Sequence, residues 1–132
     1  MPRKKSKTLT EAELRLMDVL WAKGQATVAE VAKALPEQPG LAYNTVLTTM
    51  RILEEKGYVR HRKPKQGHAF IYCPSVGRAE AARSAVHDLM RRFFGRSHEA
   101  LVLNILEDEA LDERQRQRIR DLLEKTGREA EP

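Results

Sequence analysis

The stretch Tyr43-Asn-Thr-Val-Leu-Thr-Thr-Met-Arg-Ile-Leu-Glu-Glu-Lys-Gly57, followed by Tyr58-Val-Arg-His-Arg62, decides the fold. Val46, Met50 and Leu53 recur at helical spacing and make one apolar stripe, while Asn44, Thr48 and Arg51, with Leu47 beside them, share the face turned away from it. The polar side carries Tyr43, Asn44, Thr45, Thr48, Thr49 and Arg51, mostly short hydrogen-bonding groups plus one long forked donor. An ordinary solvated face would carry more Lys and Glu. A helix lying in a DNA major groove needs donors and acceptors of this reach for base edges and phosphates.

Gly57 closes this helix, and Tyr58-Val-Arg-His-Arg62 then alternates, as does His68-Ala-Phe-Ile-Tyr72 after the turn Lys63-Pro-Lys-Gln-Gly67. The pattern predicts a hairpin with a basic tip. Between Gly40 and His68 there are six Lys or Arg against two Glu, and five of the six basic residues follow Arg51, so the hairpin carries the charge. Arg51, Arg62, Lys63 and Lys65 are the candidate phosphate contacts by charge and placement.

Upstream, two helices announce themselves by the same grammar. Thr10 with Glu13 is a capping box, with Leu9 and Leu14 at the positions of a hydrophobic staple; Leu14, Met17, Leu20 and Trp21 recur helically up to Gly24. Thr27 with Glu30 repeats the box, and Val28, Val31, Ala32 and Leu35 share a face before Pro36 stops the run. Pro36-Glu-Gln-Pro-Gly40 reads as the turn into the third helix. Three helices and a basic hairpin make a winged helix-turn-helix, so the expected class is mainly α with a small antiparallel β hairpin.

After Pro74 the texture is helical. Val76, Ala79, Ala82, Val86, Leu89, Met90 and Phe93 recur helically up to Gly95; a second segment runs from Ser97 to about Leu106, and a third starts at Asp112. One copy of these segments has too few large apolar side chains for a core of its own. Two copies could bury Leu89, Phe93, Phe94, Leu101, Val102, Ile105, Ile119 and Leu122 together, which predicts a homodimer. The expected organisation is a basic N-terminal arm over 1–8, a winged-helix domain over 9–74, a helical dimerisation region over 75–126 and a flexible tail over 127–132.

The 132 residues carry a formal net charge of +5, unevenly placed: residues 1–96 hold 18 Lys or Arg against 9 acidic residues, and residues 97–132 hold 6 against 10. The first part attracts a polyanion, and the opening Met1-Pro-Arg-Lys-Lys-Ser-Lys7 reads as a mobile arm adding phosphate contacts, with a solvated tail as its plainer reading. Apolar runs are far too short for membrane insertion. Cys73 is the single cysteine, so no intrachain disulfide or Cys-based zinc pair forms, in keeping with a reducing cytoplasm. His61, His68, His87 and His98 lack metal-ligand spacing, so no metal or other cofactor is expected. No triad motif, phosphate-cradling loop or paired acidic motif points to an enzyme; Glu107-Asp-Glu109 between two helices reads as a capping or solvated cluster.

Taken in order, Leu14 to Trp21, Thr45 to Gly57, Phe70-Ile-Tyr-Cys-Pro74 and Leu101-Val-Leu-Asn104 make the chain resemble the penicillinase and methicillin-resistance repressors, a family of bacterial winged-helix proteins. The resemblance covers nearly the whole chain. It implies a dimeric repressor of double-stranded, palindromic operator DNA that controls beta-lactamase or cell-envelope stress genes and is tied to antibiotic resistance. By position it places Asn44, Thr45 and Thr48 where the third helix reads bases and phosphates. It also implies a membrane sensor pathway that ends in cleavage after Asn104, although Ile105 stands where such members typically carry phenylalanine; the alternative for Asn104 is a polar residue on a packed helix. The cysteine cluster of copper-responsive relatives is missing. Two other readings stay open: a winged helix used for protein contact, and a regulator that binds a small molecule.

Overall fold

The computed structural model describes residues 8–35, 42–67 and 69–130. Residues 1–7 of the expected arm over 1–8, the turn Pro36–Gly40 with Leu41, His68 and the last two residues lie outside the described residues.

Helix α1 (Glu11–Lys23) begins as the capping grammar predicts. The Glu13 amide donates to Thr10 Oγ1 at 3.1 Å and the Thr10 amide to Glu13 Oε1 at 2.8 Å, which satisfies two donors that a helix start otherwise leaves unpaired. Helix α2 (Val28–Ala34) repeats the device: the Glu30 amide donates to Thr27 Oγ1 at 3.2 Å and the Thr27 amide to Glu30 Oε1 at 2.9 Å. Helix α3 (Tyr43–Lys56) has no side-chain cap at Ala42 and ends at Gly57, whose φ of 88° lies in the left-handed region that favours glycine.

The sheet is larger than the expected hairpin. Strands β2 (Val59–Arg62) and β3 (Ile71–Pro74) pair antiparallel, and a two-residue strand β1 (Ala26–Thr27) pairs with the other edge of β3, giving the order β1-β3-β2. Two residues show no alternation in a sequence, which is why β1 was not legible. The register seats Ala26 opposite Tyr72, and both are buried. Among the described residues of the second alternating run, Ala69 and Phe70 lie before β3, whose pairing with β2 begins at Ile71.

The core lies between the three helices and the inner face of this sheet. It consists of Leu16, Met17 and Leu20 from α1, Val28 and Val31 from α2, Val46, Met50 and Leu53 from α3, with Leu35, Tyr58, Val59, Tyr72 and Ala81. Each fully buried aliphatic side chain here contributes about 1.5–3 kcal/mol. Two sequence assignments shift. Leu14 is 40% exposed, and Leu16 is the residue of α1 that joins Met17 and Leu20 in the core. Leu47, assigned beside the polar face of α3, packs partly buried against the core.

Helix α4 (Arg78–Leu89) is shorter than the expected span from Val76 to Phe94, and a π-helical stretch, Met90–Phe94, follows it. The first turns of α4 are fastened to α1. Trp21 Nε1 donates to the Val76 carbonyl at 2.8 Å, the Arg78 guanidinium lies 2.8 Å from Asp18 Oδ1 and 4.6 Å from the centroid of the Trp21 ring, and Ala81 enters the core. The compact unit built on this core therefore extends to Asp88.

A second compact unit runs from Leu89 onward. Gly95 and Arg96 both have positive φ, and Ser97 caps helix α5 (His98–Leu106) by accepting from the Ala100 amide at 3.1 Å. Asp112 and Gln115 cap helix α6 (Glu113–Ala130) reciprocally, at 2.7 and 3.0 Å. Arg116 ties the two helices by donating to the carbonyls of Leu106 and Asp108. Asp108, in the acidic cluster, accepts from the Ala110 amide at 2.9 Å and so caps the turn, as expected. Helix α6 continues through Gly127 to Ala130, and Gly127 does not take the left-handed conformation that would end the helix.

Candidate nucleic-acid interface

Helix α3 divides cleanly into a seat and a display. Val46, Met50 and Leu53 are fully buried, which fixes the helix against α1, α2 and the sheet. The side chains of Tyr43, Asn44, Thr45, Thr48 and Arg51 are all exposed. Thr49 is half-buried and turns back to its own helix, donating from Oγ1 to the Thr45 carbonyl at 2.9 Å, so it belongs less to the display than its neighbours do. The first turn of α3 contains no acidic residue and its cap residue is Ala42, so the helix carries no carboxylate of its own at that end.

The hairpin is locked to α3 from its inner side. His61 Nδ1 lies 2.7 and 2.9 Å from the two Glu54 carboxylate oxygens, and its ring packs at a tilt, with centroids 4.5 Å from that of Phe70 and 5.5 Å from that of Tyr72. Burial is the first cause that pushes the Tyr72 phenol above its ordinary pKa, the Glu54 carboxylate adds to it and Arg51 opposes it. The strands of the wing and the display helix are thus joined by direct side-chain contact.

On the outer side of the sheet lie the basic residues. Arg60 donates to the Pro74 carbonyl at 3.3 Å and to Ser75 Oγ at 3.4 Å, which closes the base of the hairpin. Arg62 donates from Nη2 to Gln25 Oε1 at 3.1 Å. Lys63 and Lys65 are exposed in the loop beyond β2. Of the eight residues singled out for DNA, five are exposed on α3, Arg62 lies at the end of β2, and Lys63 and Lys65 are exposed in the loop that follows it. Two residues that organise them, Glu54 and Gln25, carried no sequence signal; each acts on a partner in another element.

Of the residues assigned to self-association, Leu89, Phe93, Ile105 and Leu122 are exposed, with Phe93 at 70% and Leu122 at 61%. Phe94, Leu101, Val102 and Ile119 are half-buried. Leu103 and Leu123, which are not among those assigned residues, are also exposed, at 56% and 48%. No residue of α5 is buried. Asn104 and Ile105 sit on the exposed side of α5, inside regular helix. No described group of three His, Cys, Asp or Glu is placed to hold a metal ion, and no described helix is long and apolar enough to cross a membrane.

The chain is similar over 82% of its length to the penicillinase repressor of Bacillus licheniformis, at 30% identity and covering 83% of that protein. It is similar to the transcriptional regulator BlaI of Mycobacterium tuberculosis (strain CDC 1551 / Oshkosh) at 31% identity, over 80% of this chain and 76% of that one. The methicillin resistance regulatory protein MecI of Staphylococcus aureus (strain N315) matches at 22% identity, over 92% of this chain and 97% of that one. The family model for the penicillinase repressor matches residues 9–125, from the residue before the first cap through most of α6. With this span, and with a winged helix whose third helix displays a polar face beside a basic wing, the chain belongs to the penicillinase repressor family of transcriptional regulators.

Proposed function

We propose that the chain represses transcription as a homodimer, with α3 of each copy in a major groove of a palindromic operator and each wing over the flanking phosphates. The observation that carries the reading is the division of α3. A helix held by three fully buried residues presents five exposed groups suited to base edges and phosphates, and the helix does not need to move to present them. Arg62 at the end of β2, with Lys63 and Lys65 on the loop beyond it, supplies charge that reads no sequence but fixes register.

The helices after Asp88 make the dimer in this reading. Phe93, Leu103, Leu122 and Leu123 are large apolar side chains left in solvent, and α5 buries none of its own. A second copy that covers them removes the cost of their exposure. Two recognition helices then meet successive grooves about 34 Å apart and occlude the promoter. Such a protein works in the cytoplasm, where the chromosome is.

The names of the relatives support beta-lactamase or cell-envelope genes as targets. Relief of repression by a sensor protease would cut between Asn104 and Ile105. Both residues lie on the exposed side of α5, so fraying of one helix presents that bond without opening the winged helix.

The test is fluorescence anisotropy of the purified chain with its own promoter fragment and with a scrambled duplex across a salt series. Specific binding that weakens steeply with salt supports the reading. Equal affinity for both duplexes overturns sequence-specific repression.

A further inference from the structure

We propose that Gln25 is a positioning residue for DNA binding: it holds the Arg62 guanidinium, through the 3.1 Å hydrogen bond from Nη2 to Gln25 Oε1, in the orientation that meets a backbone phosphate. The inference rests on the DNA-binding reading above and adds to it a residue outside both the recognition helix and the wing.

The sheet register places the two residues. Ala26 pairs with Tyr72 and Tyr72 with His61, and Ala26 and Tyr72 are buried, so this row lies on the inner face. Side chains alternate along a strand, so the next row, Thr27, Ile71 and Arg62, lies on the outer face, and Gln25 shares the parity of Thr27. Arg62 stands on one edge strand and Gln25 immediately before the other, with β3 between them. Two strand spacings are about 10 Å, so the bond draws the long Arg62 side chain across the width of the sheet. Its guanidinium thereby ends beside the start of α2, two residues before the Thr27 cap. In a helix-turn-helix the first helix of the pair crosses the DNA backbone, so a cation held at this point faces phosphate.

The chemistry of the partner supports positioning over stabilisation. Asp18 neutralises Arg78, Glu13 neutralises Lys56 and Glu54 faces His61, so these bases have carboxylate partners within the fold. Gln25 is a neutral acceptor. It occupies one of the five N–H donors of Arg62 and leaves the positive charge uncompensated, and among the described residues no carboxylate meets that guanidinium. An arginine whose orientation is set before binding loses less side-chain freedom when a phosphate arrives.

The experiment is a double-mutant cycle on the full chain: wild type, Gln25→Ala, Arg62→Ala and the double variant, each titrated with operator duplex at several salt concentrations and each melted thermally. Loss of one ordering hydrogen bond predicts about fivefold weaker binding for Gln25→Ala, less than twofold for the same change in the Arg62→Ala background, and unchanged melting. Arg62→Ala lowers the salt slope by about one. Three results overturn the proposal: no effect of Gln25→Ala, an equal effect with and without Arg62, or no effect of Arg62→Ala. A wild-type chain that binds no duplex overturns the DNA-binding reading itself, whereas a wild type that binds with any of these three results overturns only the role of Gln25.

Discussion

Lys56 Nζ lies 2.7 Å from Glu13 Oε1, and both side chains are buried, at 7% and 6% exposure. The pair joins the last turn of α3 to the first turn of α1. The same ammonium donates to the Thr8 carbonyl at 3.1 Å, and the same carboxylate oxygen closes the capping box on the Thr10 amide. Removing one member leaves the other charged and desolvated, so Lys56→Ala is expected to cost about 3–5 kcal/mol in urea unfolding.

Glu13 also gives the stability a pH dependence. Burial pushes its carboxyl pKa up, but the hydrogen bond from Lys56, the Thr10 amide and the ammonium charge outweigh burial, and the net direction is down. A carboxyl whose pKa is lower in the folded state binds fewer protons there than in the unfolded chain. Its contribution is therefore present above the ordinary carboxylate value of about 4.3 and is lost as the pH falls through the lower, folded value. Thermal melts of wild type and Glu13→Gln between neutral and strongly acid pH should show a fall in this window that is shallower in the variant.

Asn44 and Lys65 should separate reading from gripping. Asn44→Ala is expected to cost about 1–3 kcal/mol on the operator and little on random duplex, while Lys65→Ala weakens both alike and lowers the salt slope by about one. Anisotropy titrations on the two duplexes measure both effects, and the same loss on both duplexes for Asn44→Ala rejects base reading.

Self-association should depend on side chains that do not support the winged-helix core. Leu103→Ser and Leu122→Ser change positions that are more than half exposed, so the first unit should keep its melting behaviour. Sedimentation is expected to shift toward the monomer, and operator affinity to fall at least tenfold because two linked half-sites bind better than one. An unaltered sedimentation coefficient in both variants rejects this face as the interface.

Gly57 tests the aim of the wing. Its φ is 88°, and among the described residues beyond its chain neighbours none comes within 4 Å of a Cβ added there, so Gly57→Ala meets backbone strain without a clash from them. A cost of about 1–2 kcal/mol in denaturant midpoint is expected, with the fold retained.

Most of the helical architecture was legible because its signals are local. A threonine followed three residues on by glutamate satisfies helix N–H groups whatever surrounds it, and both boxes, at Thr10 and Thr27, formed as the sequence implies. The burial of Val46, Met50 and Leu53 followed from period alone. Where the local signal was short or ambiguous, neighbours decided: Leu16 displaced Leu14, β1 existed only as the partner of Tyr72 and Ile71, and Gly127 was passed through because nothing stopped α6.

By itself, then, the chain's sequence determined where helices start, which stripe of α3 is apolar and where the positive charge is concentrated, since capping, periodicity and composition act within a few residues. Only the tertiary structure decided that Glu54 clasps His61, that Gln25 takes hold of Arg62 from 37 residues away, and that Glu13 shares its oxygen between Thr10 and Lys56. Such pairings depend on sheet register and helix docking, which close loops of arbitrary length and leave no period or spacing in the chain.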